Sequence, residues 1–167
     1  MKKITVLLAS QKQNLSLAQT IATELENHNA SVSIIDLVDV DLPLYSSKVQ
    51  AEQGMPSQLD ALFDACHSAD GFVIVAPEYN GGIPPVLTNA IAWLSVKGEQ
   101  WRDAFNAKVV GLASFSGGGG TSLISGLRIQ LAYIGMTVLG RSLQVTYKKP
   151  LNDDSLKDFA SQLIKRV

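Results

Sequence analysis

The sequence predicts an α/β domain in which a doubly wound, five-stranded parallel sheet is covered by helices on both faces, making three layers. Three observations carry that expectation. Short apolar, β-branched runs alternate along the chain with stretches of helical spacing, the pattern of strands joined by crossover helices. The runs are continuous rather than alternating in polarity, as strands buried on both faces require. Finally, 46% apolar residues against 17% charged ones in 167 residues supply enough apolar surface for a real core.

"KITVLLA" (3–9) reads as the first strand, and Leu15, Ala18, Ile21, Ala22 and Leu25 recur at three and four as the first helix. "SVSIIDL" (31–37) is the second strand, followed by a helix carrying Leu59, Leu62, Phe63 and Cys66. "GFVIVA" (71–76) precedes a third helix with Val86, Leu87, Ala90, Ile91 and Leu94. "KVVGLASF" (108–115) precedes a fourth, expected to be largely buried, with Leu123, Ile124, Leu127, Ile129, Leu131 and Ile134. "MTVLGRSLQV" (136–145) is the least sharply defined strand, and Leu156, Phe159, Ala160, Leu163 and Ile164 supply the last helix. With no linker, repeat or low-complexity tract beyond Gly117–Gly120, residues 1–167 read as one domain.

Composition narrows the function. A net charge of -1, with 14 basic residues scattered among 15 acidic ones, argues against nucleic acid or a polybasic membrane surface as partner. A small molecule fits better. The single cysteine, Cys66, has no internal disulfide partner and reads as a buried thiol at a helix end. The apolar stretch Ile4–Ala9 runs into "QKQN" without a small-residue cleavage site, so it reads as a strand rather than a signal peptide. No apolar run approaches the ~18 residues of a membrane span, and a cytoplasmic location is expected.

Ligands of an open parallel sheet sit beyond the carboxyl ends of its strands, where strand order reverses. Three loops there are unusual. "SQKQNLSLA" (10–18) offers Ser10, Asn14 and Ser16 at a helix start, with Lys12 adding a positive charge; a helix N-terminus favours an anion, although taken alone Asn14 reads more simply as the cap of the helix. There is neither a GxGxxG nor a GxxxxGK[ST] pattern. "APEYNGGIPPVLTNAIAWL" (76–94) ends a buried strand on Pro77, Glu78, Tyr79, Asn80 and Gly81, then opens a helix on Pro84-Pro85. Its glycines permit close backbone approach, Tyr79 offers a flat face with a polar tip, and Asn80 can read a heteroaromatic edge. "SFSGGGGTS" (114–122) places Ser114, Ser116, Gly117 and Gly118 where backbone N–H groups could line a cavity as a nest; a flexible surface loop is the alternative. His28 and His67 fall on expected helices, away from all three loops.

With these loops in view the chain resembles the NAD(P)H-dependent FMN reductases, flavodoxin-like proteins that include chromate, quinone and azo-compound reductases. "PEYNGGIPPVLTNAIAWLS" looks like the family's Pro-Glu-Tyr-Asn turn and its helix with Leu-x-Asn-Ala and a Trp, and "DLPLY" (41–45) falls in the matching place. The resemblance implies strand order 2-1-3-4-5, bound FMN and NAD(P)H, and a homodimer or homotetramer. It implies that Ser10, Lys12, Asn14 and Ser16 hold the FMN phosphate. It also implies that Pro77, Glu78, Tyr79, Asn80 and Gly81 border the ribityl chain and ring, with Ser114, Ser116, Gly117 and Gly118 on the other side. The first loop departs from the family's Gly-Ser-x-Arg-x-x-Ser-x-Asn: it lacks the Arg and is two residues shorter between Ser10 and Asn14. Lys12 supplies a point charge instead.

The implied chemistry is ping-pong: a hydride passes from nicotinamide to flavin, then on to a quinone, free flavin or similar acceptor in the same slot. No side-chain nucleophile or base is needed, so no catalytic residue and no metal ligand is assigned. Arg102, Arg128 and Arg141 are candidates for reading a nicotinamide 2′-phosphate, with nothing in the sequence to choose among them. A flavodoxin-type electron carrier and a non-catalytic flavin-binding or regulatory protein are the alternatives. A strongly acidic composition and a Thr-Gly-x-Thr loop, expected of the carrier, are both absent.

Overall fold

In the computed structural model, which describes residues 1–167, all five apolar runs form strands of one parallel sheet. They are β1 (Lys2–Leu8), β2 (Ala30–Asp36), β3 (Gly71–Val75), β4 (Val109–Phe115) and β5 (Thr137–Val145). Their order is β2-β1-β3-β4-β5, which places the reversal of strand order between β1 and β3. Every residue of β3 is buried, as a central strand covered on both faces requires. The edge strands β2 and β5 are only partly covered, which explains why their apolar patterns are weaker.

The period of two along each strand divides the core. Phe72 and Ile74 join one cluster with Leu59, Trp93 and Leu127, contributed by helices α4 (Gln58–His67), α5 (Pro85–Ser95) and α6 (Thr121–Tyr133). Val73 and Val75 face the other way, into a cluster with Ile21 and Phe159. Those two side chains belong to α1 (Gln13–Asn27) and α7 (Asp153–Ile164). Gly111 is the point of closest approach of α7 to the sheet, because a Cβ there would collide with the Phe159 ring.

Three short elements lie outside the sequence expectation: α2 (Leu37–Val40), α3 (Ser47–Gln53) and a 3₁₀ turn (Trp101–Ala104). The two helices are too short to show an apolar period, yet each has a side-chain cap. Asp36 accepts from the N–H of Val38, and Ser46 from that of Val49. The fourth expected helix is one-sided rather than largely buried. Leu123, Ile124, Leu127 and Leu131 face the core, whereas Ile129 is 75% exposed.

The pairing of β4 with β5 is interrupted between Val110 and Leu112, where β5 carries extra residues. Arg128 holds this irregularity, its guanidinium donating to the carbonyls of Leu139 (2.7 Å) and Gly140 (2.8 Å). Arg141 is paired with Asp158 at 2.6 Å, and Arg102 lies over the Trp101 ring.

Candidate active site at the carboxyl edge of the sheet

Three loops meet beyond the ends of β1, β3 and β4, beside the reversal of strand order where an open sheet forms its crevice. In the first, Lys12 is the N-cap of α1 with φ 56° and ψ -116°, and no side chain caps the helix. The first helical bond runs from Ser16 N–H to the Lys12 carbonyl at 3.0 Å. The N–H groups ahead of it lack helical acceptors, so this positive helix end is available to an anion. Lys12 and Ser16 are exposed and Ser10 is half-buried beside it.

Asn14 does something else. It is 3% exposed; its amide donates to the Phe115 carbonyl (3.1 Å) and to Ser10 Oγ (3.3 Å), and accepts from the Phe115 N–H (2.9 Å). Asn14 thus neither caps α1 nor faces the crevice. It stitches the first loop to the end of β4.

The second loop is a two-residue reversal. Tyr79 N–H donates to the Gly82 carbonyl (3.2 Å) and Gly82 N–H to the Tyr79 carbonyl (2.9 Å). Asn80 and Gly81 between them both have positive φ, at 50° and 73°. This is the Asn-Gly preference of a type I′ turn, and it leaves Tyr79 half exposed and Asn80 and Gly81 at the tip. Pro77 is buried below. Pro84 and Pro85 open α5, where a missing N–H costs nothing.

The third loop is held from beneath. The N–H of Glu78 donates to Ser116 Oγ at 2.7 Å, and Ser116 Oγ lies 2.8 Å from Ser114 Oγ. Ser114 is fully buried and Ser116 is 6% exposed. Glu78 Oε2 accepts from the Leu123 N–H at 3.0 Å, capping α6 in place of its N-cap residue, Gly120. Gly120 has φ 77°, and a Cβ there would lie 2.7 Å from Ser114 Oγ, so only glycine fits. Above it the loop is bare. A Cβ on Gly117 would meet nothing within 4 Å, and one on Gly118 only Glu78 Oε1, at 3.9 Å.

The geometry therefore divides the sequence's candidates. Ser10, Lys12, Ser16, Tyr79, Asn80, Gly81, Gly117 and Gly118 outline an open shelf. The polar groups of Asn14, Glu78, Ser114 and Ser116 are engaged in hydrogen bonds that tie the loops together. Their shared cause is the need to satisfy buried polar groups where the loops abut. No principal cavity is lined by all three loops; one of about 400 Å³ reaches the edge of the shelf at Ser16 and Phe115.

Two positioning side chains escape a reading by loops alone. Asn89 on α5 accepts from the Tyr45 N–H (2.7 Å) and donates to the carbonyls of Leu42 (3.2 Å) and Pro43 (3.0 Å). Trp93, one helical turn on, donates its indole N–H to the same Pro43 carbonyl at 2.7 Å and meets the Tyr45 ring edge-on. The pair pins the "DLPLY" segment to α5. An amide at helical spacing with a buried indole was the available signal.

The perturbed ionisable groups lie at the opposite end of the sheet. Burial pushes the Cys66 thiol up to about 12, against a smaller lowering by nearby Lys108. Lys108 is itself lowered, chiefly by burial, and donates to the carbonyls of Cys66 (2.8 Å) and His67 (2.7 Å) at the end of α4. This is a helix C-cap, not reactive machinery.

A profile of the family described as NADPH-dependent FMN reductase matches residues 2–149. The quinone reductase of Escherichia coli (strain K12) is 53% identical over 55 residues, which are 33% of this chain and 29% of that protein. The match thus spans less than a third of that relative. A 2-hydroxy-1,4-benzoquinone reductase of Burkholderia is 36% identical over 94 residues, 56% of this chain and 50% of that one. The NAD(P)H-dependent FMN reductase of Schizosaccharomyces pombe is 30% identical over 145 residues, 81% of this chain and 68% of that one. Among solved structures, the flavoenzyme NAD(P)H:(acceptor) oxidoreductase FerB of Paracoccus denitrificans superposes with a TM-score of 0.81 at 18% identity, covering 99% of this chain and 97% of that one. A flavodoxin from the domain Archaea gives 0.65 at 17%, covering 99% and 95%; at such identities these two speak for the flavodoxin-like fold. With its family profile running from β1 through β5 and across all three loops, the chain belongs to the NADPH-dependent FMN reductase family.

Proposed function

We propose that the chain is an FMN-dependent NAD(P)H oxidoreductase that delivers electrons to a quinone or a similar small acceptor. The observation that carries this reading is the shelf itself: in a chain of this family, an uncapped helix terminus, an exposed Asn-Gly turn and a bare glycine loop follow three adjacent strands at one edge of the sheet.

The residues present fit FMN. The free α1 terminus, with Ser10, Lys12 and Ser16 around it, has the donors and charge a phosphate monoester needs. The half-exposed Tyr79 ring offers a flat face, and the absence of side chains at Gly117 and Gly118 leaves room for a planar heterocycle. When bound, FMN supplies hydride exchange with a nicotinamide and then with an acceptor, in two half-reactions that share one slot.

The chain's own residues bind and orient. Asn80 and Gly81 present backbone and amide groups at the turn tip, and Tyr79 shapes the nicotinamide slot. N–H groups of the glycine loop favour negative charge at the ring edge. Pro77, Glu78, Asn14, Ser114 and Ser116 act from below by fixing the loops. The shelf is open, and Tyr79 (50% exposed) and Leu44 (78% exposed) offer apolar surface; a second copy of the chain, in a homodimer or homotetramer, would cover it.

Quenching of flavin fluorescence tests the reading. Lys12→Ala is expected to weaken FMN much more than riboflavin, which has no phosphate. Equal losses for both ligands would remove the first loop from the site.

A further inference from the structure

Glu78 lies in the most distinctive stretch of the sequence, yet its carboxylate faces away from the tip of the turn. One end of the residue, its N–H, holds Ser116 Oγ at 2.7 Å; the other, Oε2, holds the Leu123 N–H at 3.0 Å. These two bonds bracket the segment from Ser116 to Leu123, which contains all four consecutive glycines. Such a run carries more backbone freedom to lose than any other sequence of its length. Both ends of the segment are thus tied to one residue, beside the bonds from the Ser116 N–H to the Val145 carbonyl (3.1 Å) and from the Gly119 N–H to the Ser116 carbonyl (3.0 Å).

The charge matters as well as the bond. The residue at the α6 N-cap is Gly120, without a side chain, so Glu78 is the side chain that accepts from an N–H of this helix end and sets a negative charge against it. Helix α6 follows β4, and its N-terminus borders the shelf. A second positive helix terminus would otherwise stand beside the one at α1.

We propose that Glu78 is a positioning residue with two effects on the shelf: it fixes the glycine loop against the Tyr79–Gly82 turn, and its negative charge offsets the α6 terminus at the site's edge. The proposal rests on the FMN reading of the preceding subsection. It assigns Glu78 no contact with the cofactor. Glutamine in its place can still accept from the Leu123 N–H but carries no charge, whereas alanine does neither, so the two substitutions separate the effects.

The experiment compares wild type, Glu78→Gln and Glu78→Ala. Amide hydrogen exchange at Leu123 in the flavin-free protein reports the tie directly. FMN affinity reports the loop, and the midpoint potential of bound FMN reports the charge. Glu78→Ala is expected to lose protection at Leu123 and to bind FMN about ten-fold more weakly, with Glu78→Gln recovering most of both. Glu78→Gln is expected to raise the midpoint potential, corresponding to about a two- to five-fold gain in relative affinity for the reduced cofactor. An FMN affinity unchanged in Glu78→Ala, or no recovery in Glu78→Gln, would overturn the positioning role. An unshifted potential in Glu78→Gln would overturn the charge effect. A wild type that binds no FMN would instead defeat the functional reading on which the proposal stands, while exchange at Leu123 would still report the tie.

Discussion

Replacing Asn14 by alanine should destabilise the flavin-free protein by about 2–3 kcal/mol, and the figure can be built from the structure. The amide serves both backbone groups of Phe115, accepting from its N–H at 2.9 Å and donating to its carbonyl at 3.1 Å. Alanine leaves both without a partner. An orphaned buried polar group costs about 1–3 kcal/mol; Phe115 is half-buried, so the lower part of that range applies to each of the two. In a chain of this length 1 kcal/mol corresponds to roughly 2–4 °C, which gives a fall in Tm of about 4–12 °C. Thermal and urea unfolding of the apo variant measure it. Asn14→Asp should be no better at neutral pH, because it keeps an acceptor for the N–H but sets carboxylate oxygen against the Phe115 carbonyl. A Tm within about 1 °C of wild type for Asn14→Ala would refute the claim that this residue joins the first loop to β4.

Other expectations follow from the same geometry. Gly120→Ala should cost at least about 1–2 kcal/mol for the left-handed backbone alone, with the Ser114 hydroxyl displaced in addition, whereas Gly117→Ala should leave unfolding within about 0.5 kcal/mol of wild type yet weaken FMN; chemical unfolding and fluorescence titration separate the two. Asn89→Ala frees the 41–45 segment from α5, so limited proteolysis there should accelerate while the rest of the chain stays protected. Cys66 should resist a disulfide exchange reagent until the protein unfolds. Its thiol rises from an ordinary 9.0 to about 12 on folding, so above pH 9 the unfolded chain releases a proton that the folded one keeps. Its contribution is therefore fully present below pH 9 and lost as pH climbs toward 12. Lys108, lowered from 10.5, changes stability in the opposite sense in its own window. Comparing the alkaline stability profiles of wild type and Cys66→Ala isolates the cysteine, and a fall equally steep in both would contradict its assignment.

The central strands were legible because they are buried on both faces, and burial writes itself as unbroken apolar runs; the partly covered edge strand β5 was the least sharply defined. Five helices were legible because each has one apolar face long enough to repeat. The short helices α2 and α3 were not, since four or seven residues show no period; their caps at Asp36 and Ser46 were the only local signal. Ile129 shows the limit of counting apolar residues, for it lies on the outer face of α6 and is 75% exposed. Sequence placed the three loops at the carboxyl edge of the sheet but could not say which way their polar groups turn. Asn14 and Phe115 are 101 residues apart and Glu78 and Leu123 are 45 apart, and a contact across such separations leaves no mark in spacing. The Asn80-Gly81 turn was the exception, because its backbone angles are encoded in the two residues themselves.

Flavin-dependent electron transfer by this chain can be read from one anaerobic titration. FMN is mixed with the purified protein, NADPH and then NADH are added, and the visible absorbance of the flavin is followed before and after a quinone. Rapid bleaching that the quinone reverses is the expected result. Bound flavin that neither nicotinamide reduces, or no bound flavin at all, would contradict it.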